Sequence, residues 1–268
     1  MTSIPSTDAE WATLISQVRE QLPARPTSQP TIPLSIAGMI DHTLLTVGVD
    51  PERIDTLCDE AKEHEFASVC VRLDHVARAA ARLKDAPKTV VACVVGFPEG
   101  THETAEKVRE TKEAVANGAK ELDMVINYPL LKEGKYTSTY EDVLAVRKAA
   151  PSPIILKAIV ETSQLDKDEL VAATVICCMA EVDFVKTSTG LKGSGATVDN
   201  VTTMRLIVDR CGTKKTKVKA SGGIRSAIDC LKLIKAGAHR IGTSGGVSIV
   251  KEVDEGELLE QGAGHIVA

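Results

Sequence analysis

Lys186 closes a short apolar run, Asp183-Phe184-Val185-Lys186, and opens a polar one, Thr187-Ser188-Thr189-Gly190. The pattern predicts a buried strand running into a glycine-ended loop, with a lysine at the junction. An ammonium group at such a place must find a counter-charge or give up water at a cost. Loss of water lowers its pKa, and an amine that is neutral at working pH attacks carbonyl carbon. Taken by itself, a strand-end lysine ordinarily snorkels to solvent. Its chemical meaning therefore depends on the residues around it.

Other charged residues interrupt apolar runs in the same way. Asp123 lies in Leu122-Asp123-Met124-Val125-Ile126-Asn127, and Lys157 lies in Ile154-Ile155-Leu156-Lys157-Ala158-Ile159-Val160-Glu161, which also carries Glu161. Lys219 lies in Lys217-Val218-Lys219-Ala220-Ser221-Gly222-Gly223. Earlier runs end in Asp41-His42-Thr43 or carry Cys70 and Arg72. Lysines at similar depth on neighbouring strands would repel one another if they point inward, and repulsion adds to desolvation in lowering one amine's pKa. A structural network of paired charges is the plainer alternative. Glycines supply a second clue. Gly222 and Gly223 follow one strand candidate, and Gly242-Thr243-Ser244-Gly245-Gly246 ends the next. Glycine lets backbone N–H groups approach an anion, so these loops, completed by Thr189 and Gly190, could cradle a phosphate. Ordinary tight turns would have the same composition.

Strands and helices that could position these residues alternate from residue 36 onward. Strand candidates span 36–42, 66–72, 89–97, 121–127, 153–161, 183–190, 217–223 and 240–244. Helical patterns span 51–64, 74–84, 103–117, 141–149, 166–180, 199–211 and 226–236, with Pro51 suited to a first turn and Gly118 and Gly237 to helix stops. Strand starts fall about 23 to 34 residues apart, the spacing of βα units. The expected fold is α/β: a (β/α)₈ TIM barrel with an N-terminal helical extension, and with its chemistry at the C-terminal ends of the strands. A doubly wound open sheet is the alternative, although no G-x-G-x-x-G follows the first strand candidate. Residues 1–35 form the expected extension. It comprises a helix with capping-box spacing at Thr7 and Glu10, an apolar stripe of Trp11, Leu14, Ile15, Val18 and Leu22, and a linker punctuated by Pro23, Pro26, Pro30 and Pro33. Residues 36–268 form the expected barrel domain.

The chain has 268 residues, a formal net charge of −5, 26% charged residues and 3% aromatics. It has no long basic run, so nucleic acid and anionic membranes are poor partners. No apolar run is long enough to span a bilayer, and the N-terminus lacks the apolar core of a secretory signal. Seven cysteines without a C-x-x-C pair fit a reducing compartment, and the expected location is the cytoplasm.

Five segments together carry a resemblance to a known family. They are Asp41-His42-Thr43-Leu44-Leu45, Glu121-Leu122-Asp123-Met124-Val125-Ile126-Asn127, Leu156-Lys157-Ala158-Ile159-Val160-Glu161-Thr162, Lys186-Thr187-Ser188-Thr189-Gly190 and Lys219-Ala220-Ser221-Gly222-Gly223-Ile224-Arg225. In this order, from about residue 36 to about residue 250, the chain resembles the deoxyribose-phosphate aldolases, which are class I aldolases. The resemblance implies a (β/α)₈ barrel and reversible cleavage of 2-deoxy-D-ribose 5-phosphate to acetaldehyde and D-glyceraldehyde 3-phosphate, with no metal and no organic cofactor. It also implies roles: Lys186 forms the Schiff base, Lys219 perturbs it and assists proton transfer, and Asp123 is the acid/base carboxylate, working through water. Asp41 and Thr43 would organise the site, Lys157 would support the charge network, and Cys70 would line the acetaldehyde pocket. Thr189, Gly190, Gly222, Gly223, Gly242 and Ser244 are the remaining candidate substrate-binding residues. The implied partners are small sugar phosphates and aldehydes, and a homodimer is the one macromolecular association to test. Three features depart from the family pattern: Leu191 rather than lysine follows the K-T-S-T-G motif, Gly245 follows Ser244 where some members have a second serine, and residues 262–268 contain no tyrosine.

Two rival functions remain open at this level. A metal-dependent aldolase needs clustered ligands, whereas His42, His64, His75, His102, His239 and His265 are scattered. A non-catalytic sugar-phosphate binder could use the same fold but would have no use for a depressed lysine pKa.

Overall fold

Eight parallel strands close on themselves in chain order, with β8 hydrogen-bonded to β1. They are β1 Ile40–Thr43, β2 Ser68–Val71, β3 Val90–Val95, β4 Glu121–Val125, β5 Ile155–Ile159, β6 Phe184–Lys186, β7 Lys217–Ser221 and β8 Arg240–Thr243. The structure is a computed structural model and describes residues 3–24, 32–33, 35–211 and 216–254. The helices are α1 Asp8–Glu20, α2 Pro51–Glu63, α3 Val76–Arg82, α4 Thr104–Ala116, α5 Tyr128–Lys132, α6 Tyr136–Ala149, α7 Lys167–Met179, α8 Val198–Cys211, α9 Ala227–Lys235 and α10 Gly246–Asp254. This is the (β/α)₈ barrel that the alternation predicts, not an open sheet.

Strand periodicity divides the core in two. Outward residues such as Val69, Leu122, Met124, Leu156, Val185, Val218 and Ile241 join one large apolar cluster with the helices. The interior instead holds a small cluster of Cys70, Ala92, Val94, Val125 and Ile159 with Phe97, together with buried charged side chains. The helices start where local chemistry favours it. Asp50 caps α2 ahead of Pro51, Asp166 and Glu169 form a capping box on α7, and Ser226 caps α9. Gly118 and Gly237, at φ of 105° and 114°, end α4 and α9 in a conformation that side chains resist.

Several boundaries differ from expectation. Residues 37–39 form a 3₁₀ turn, in which Met39 N–H donates to Ile36 O, so the first strand begins only at Ile40. The sixth strand stops at Lys186, and residues 187–190 are loop. The helix expected from 141 begins at Tyr136. The run Tyr136-Thr137-Ser138-Thr139-Tyr140 has modest helix propensity, but Thr139 and Tyr140 are buried, and packing overrides propensity. The short helix α5 and the C-terminal helix α10 were not anticipated.

Helix α1 lies across α6, α7 and α8. Its capping box forms between Thr7 and Glu10, Trp11, Ile15 and Val18 are buried, and Leu14 and Leu22 are partly buried. Trp11 meets Tyr140 with ring centroids 5.0 Å apart, Asp8 accepts from the Thr137 N–H at 2.8 Å, and Arg19 pairs with Asp168 at 2.8 Å. Pro26, Pro30 and the tail at 262–268 lie outside the described residues.

Candidate active site

Register places the charged side chains. Lys186 on β6 is paired with Lys219 on β7 and with Ile159 on β5, while Asp123 on β4 is paired with Lys157 on β5. Lys157 therefore sits two residues nearer the N-terminal end of the barrel than the partner of Lys186, not at the same depth as the other two lysines. Asp123 is the hub. Its Oδ2 accepts from Lys186 Nζ and from Lys219 Nζ, each at 2.7 Å, and its Oδ1 accepts from Lys157 Nζ at 2.8 Å. Beneath it, Asp41 Oδ2 accepts from Lys219 and pairs with Lys157 at 3.1 Å, while Arg240 donates to Asp41 Oδ1 and reaches Glu121 at 3.3 Å. Lys157 also pairs with Glu121. Asp41, Asp123, Lys157 and Lys219 are fully buried.

The balance of this network singles out one amine. Lys157, Lys219 and Arg240 already match the carboxylates of Asp41, Asp123 and Glu121, leaving Lys186 as the unmatched cation. Burial is the main cause that lowers the Lys186 pKa. Asp123 opposes the shift and the nearby Lys219 reinforces it. Burial would lower Lys157 and Lys219 too, but carboxylates on both sides more than reverse it, raising both. Burial likewise works against ionising Asp123 and Asp41, and the surrounding cations overcome it, so both carboxyls lie below the ordinary range. The mutual repulsion expected among inward lysines is thus largely absorbed by the interleaved carboxylates, and desolvation dominates at Lys186.

Two features flank Lys186. One is a packed apolar cluster of Cys70, Ala92, Val94, Phe97, Val125 and Ile159, with Leu45 packed on it. Cys70 Sγ lies 4.0 Å from Asp123 Oδ2, and burial pushes its thiol pKa up to about 11. The other is a cavity of about 310 Å³ over β6, β7, β8 and the loop after β1. Thr43, Lys186, Thr189, Gly190, Gly222, Gly223, Gly242 and Ser244 all line it. A Cβ on Gly222 would stand 3.0 Å from Gly195 Cα and 3.2 Å from Gly190 Cα, so these glycines let the loop after β6 rest on the loop after β7. A Cβ on Gly242 would stand 3.0 Å from Lys219 Cε, so that glycine makes room for the lysine. A larger hollow of about 450 Å³ at the opposite end of the barrel reaches Glu121 and Arg240 but not Lys186.

Residues 36–252 match the family model described as DeoC/LacD family aldolase. The chain belongs to this family of aldolases. It is 49% identical over 252 residues to a deoxyribose-phosphate aldolase of Coccidioides immitis, covering 91% of each chain. It is also 49% identical over 216 residues to a deoxyribose-phosphate aldolase of Halalkalibacterium halodurans, covering 81% of this chain and 95% of that one. A Coccidioides immitis crystal structure superposes with a TM-score of 0.88 at 47% identity, covering 95% of this chain and 100% of that chain. The tetrameric deoxyribose phosphate aldolase of Aeropyrum pernix superposes with a TM-score of 0.76 at 28% identity, covering 93% and 99%.

Every site residue expected from the aldolase sequence lies in the network, the apolar cluster or the cavity. Thr43 lines the cavity rim, its hydroxyl donating to Asp41 O at 2.9 Å. His42, next to Asp41, instead points out of the barrel to Glu60 at 2.7 Å, against Phe66. Lys192, one place beyond Leu191, donates to the Tyr128 hydroxyl at 2.6 Å, while Leu191 lines the cavity. Sequence reasoning did not assign Arg240 and Glu121 to the network, or Arg225 and Leu45 to the cavity. Glu161 is also part of the architecture. At φ 55° its buried carboxyl accepts from the Thr189 hydroxyl at 2.5 Å and from Thr189 N–H at 3.3 Å, holding the loop after β6. Among the described residues, no group of three or more His, Cys, Asp or Glu side chains is placed to hold a metal ion.

Proposed function

We propose that this aldolase cleaves 2-deoxy-D-ribose 5-phosphate reversibly to acetaldehyde and D-glyceraldehyde 3-phosphate through a Schiff base on Lys186. The observation that carries the reading is the placement of one unmatched, desolvated lysine against Asp123, between a packed apolar cluster and a glycine-lined cavity. Neutral Lys186 adds to the C1 aldehyde of the open-chain sugar. Asp123, with a water, moves protons as the carbinolamine loses water to give a protonated imine. The imine withdraws the electron pair of the C2–C3 bond as the C3 hydroxyl gives up its proton, releasing glyceraldehyde 3-phosphate and leaving an enamine. Protonation of the enamine carbon and hydrolysis of the resulting imine return Lys186 and free acetaldehyde. Covalent capture divides one difficult step into easier ones.

Lys219 holds its proton between Asp123 and Asp41 and keeps a positive charge beside Lys186. Lys157 and Arg240 fix those two carboxylates from below. The phosphate sits in the cavity, where Gly190, Gly222, Gly223 and Gly242 leave room for it beside Ser244 and Arg225. The two-carbon end sits against the apolar cluster beside Cys70. The cycle draws on no metal and no organic cofactor. All seven cysteines are free and six are buried, which suits a cytoplasmic enzyme. A homodimer is the association state carried forward, to be measured by light scattering.

The test is direct turnover. Purified protein should release glyceraldehyde 3-phosphate from the phosphorylated deoxy sugar, at the same rate with and without a chelator. A rate that falls with the chelator and returns with a divalent cation would favour metal-assisted cleavage, and binding without turnover would leave only a sugar-phosphate receptor.

A further inference from the structure

Arg72 leaves the C-terminal end of β2 and makes two contacts across the barrel mouth. Its Nε donates to the Leu45 carbonyl at 2.8 Å, just beyond the main-chain bond in which Leu44 N–H donates to Cys70 O at 3.0 Å. Its guanidinium carbon stands 5.2 Å from the centroid of the Phe97 ring. The apolar cluster beside Lys186 explains why both contacts matter. Cys70, Ala92, Val94, Val125 and Ile159 are held by the sheet, whereas Leu45 and Phe97 come from the loops after β1 and β3. The strand-borne walls cannot shift without breaking ladder bonds, but the two loop-borne walls can. A guanidinium suits the task of joining them, because its plane lies over an aromatic face while its edge donates a hydrogen bond. Leu45 also borders the glycine-lined cavity, so it stands between that cavity and the apolar cluster.

We infer that Arg72 is a specificity-determining residue: by stapling Leu45 to Phe97 it fixes the apolar wall that meets the methyl end of the two-carbon intermediate. It acts through those two residues and touches no reacting atom, so it is a positioning residue. The inference rests on the Schiff-base reading above, since it presumes that the donor aldehyde lies against this cluster. Its consequence is that donors one methylene longer than acetaldehyde are rejected by the staple, not by the strands.

The experiment compares addition of acetaldehyde and of propanal to D-glyceraldehyde 3-phosphate by full-length wild type, Arg72→Ala and Arg72→Lys. One extra methylene in a fitted apolar pocket changes kcat/KM by about 10- to 200-fold. The wild type should prefer acetaldehyde within that range, and Arg72→Ala should lower the ratio about tenfold by removing the fitted wall. Arg72→Lys, which keeps a cation and a donor but not the planar fork, should fall between them. A merely structural role would depress both aldehydes together and leave the ratio where it was; that result overturns the inference. If Arg72→Ala does not fold, Phe97→Leu removes the other half of the staple and must lower the ratio in the same way. A wild type that adds no acetaldehyde overturns the Schiff-base reading and the staple with it, whereas normal acetaldehyde addition with an unmoved ratio overturns the staple alone.

Discussion

Between β2 and β5 the barrel mouth is filled by packed apolar side chains; between β6 and β8 it opens into a cavity lined by four glycines together with polar side chains. The first side presents Cys70, Ala92, Val94, Val125 and Ile159 under Phe97, with no charge except at its edge, where Asp123 begins. The second presents Gly190, Gly222, Gly223 and Gly242, whose missing side chains let loops touch and leave room for a ligand. The contrast indicates how one site can hold a substrate that is apolar at one end and doubly charged at the other. Shape selects on the first side, because a fitted apolar surface discriminates by volume. Room for a charged group selects on the second, where glycines withhold side chains. Lys186 stands where the two meet, and the charge network beneath it sets its protonation state.

The largest expected effect comes from removing the residue common to both sides. Lys186→Met should reduce turnover by about 10³-fold or more, as loss of a covalent nucleophile does, while the protein stays folded because no buried charge is left unmatched. Residual turnover near the wild-type rate would dissolve the comparison, since neither side would then serve an amine.

An intermediate effect should fall on one side only. At φ 89° and with Gly195 Cα 3.0 Å from its would-be Cβ, Gly222 cannot become alanine without moving two loops. Gly222→Ala should raise KM for the phosphorylated sugar about tenfold, from strain of a few kcal/mol, and leave kcat/KM for free 2-deoxyribose nearly unchanged. Ser244→Asp should act in the same direction by placing a negative charge at the cavity rim. Equal losses for both sugars would mean that the glycine-lined side does not read charge.

A smaller, pH-dependent effect sharpens the role of the network. The lowered pKa of Lys186 means that imine formation falls about tenfold per pH unit below that pKa and levels off above it. Lys219→Leu removes a like charge and leaves Asp123 freer to stabilise the ammonium form, so the Lys186 pKa rises. The rate should drop at neutral pH and recover in part at alkaline pH. A uniform drop at every pH would assign Lys219 to proton transfer alone.

The sequence made some of this legible and hid the rest for physical reasons. Asp123, Lys157, Lys186 and Lys219 stood out because a charge inside an apolar run is costly and demands an explanation. The glycines after β7 and β8 stood out by their clustering. Arg240 and Glu121 escaped notice because they open their strands, next to helix stops where charges are ordinary; only the register turns them inward. Leu45 and Arg72 lie in loops, where neither spacing nor composition says which space a side chain borders. The depth of Lys157 relative to Lys186 likewise depends on barrel stagger, which strand spacing does not encode. The start of α6 was missed because its first turns are held by burial against neighbouring elements, with little support from local propensity.

The smallest effect on chemistry is expected farthest from the mouth. Trp11→Ala empties a fully buried position beside Tyr140 and should cost about 3–5 kcal/mol of stability, read as a lower denaturant midpoint, with kcat/KM unchanged. A loss of activity without loss of stability would tie α1 to the site after all.

The central claim is that Lys186 is the amine that captures the aldehyde, and reductive trapping tests it most directly. Protein treated with acetaldehyde and borohydride should gain one ethyl group, and peptide mapping should place it on Lys186 and on no other lysine. An adduct on Lys157 or Lys219, or equal trapping in Lys186→Met, would contradict the account.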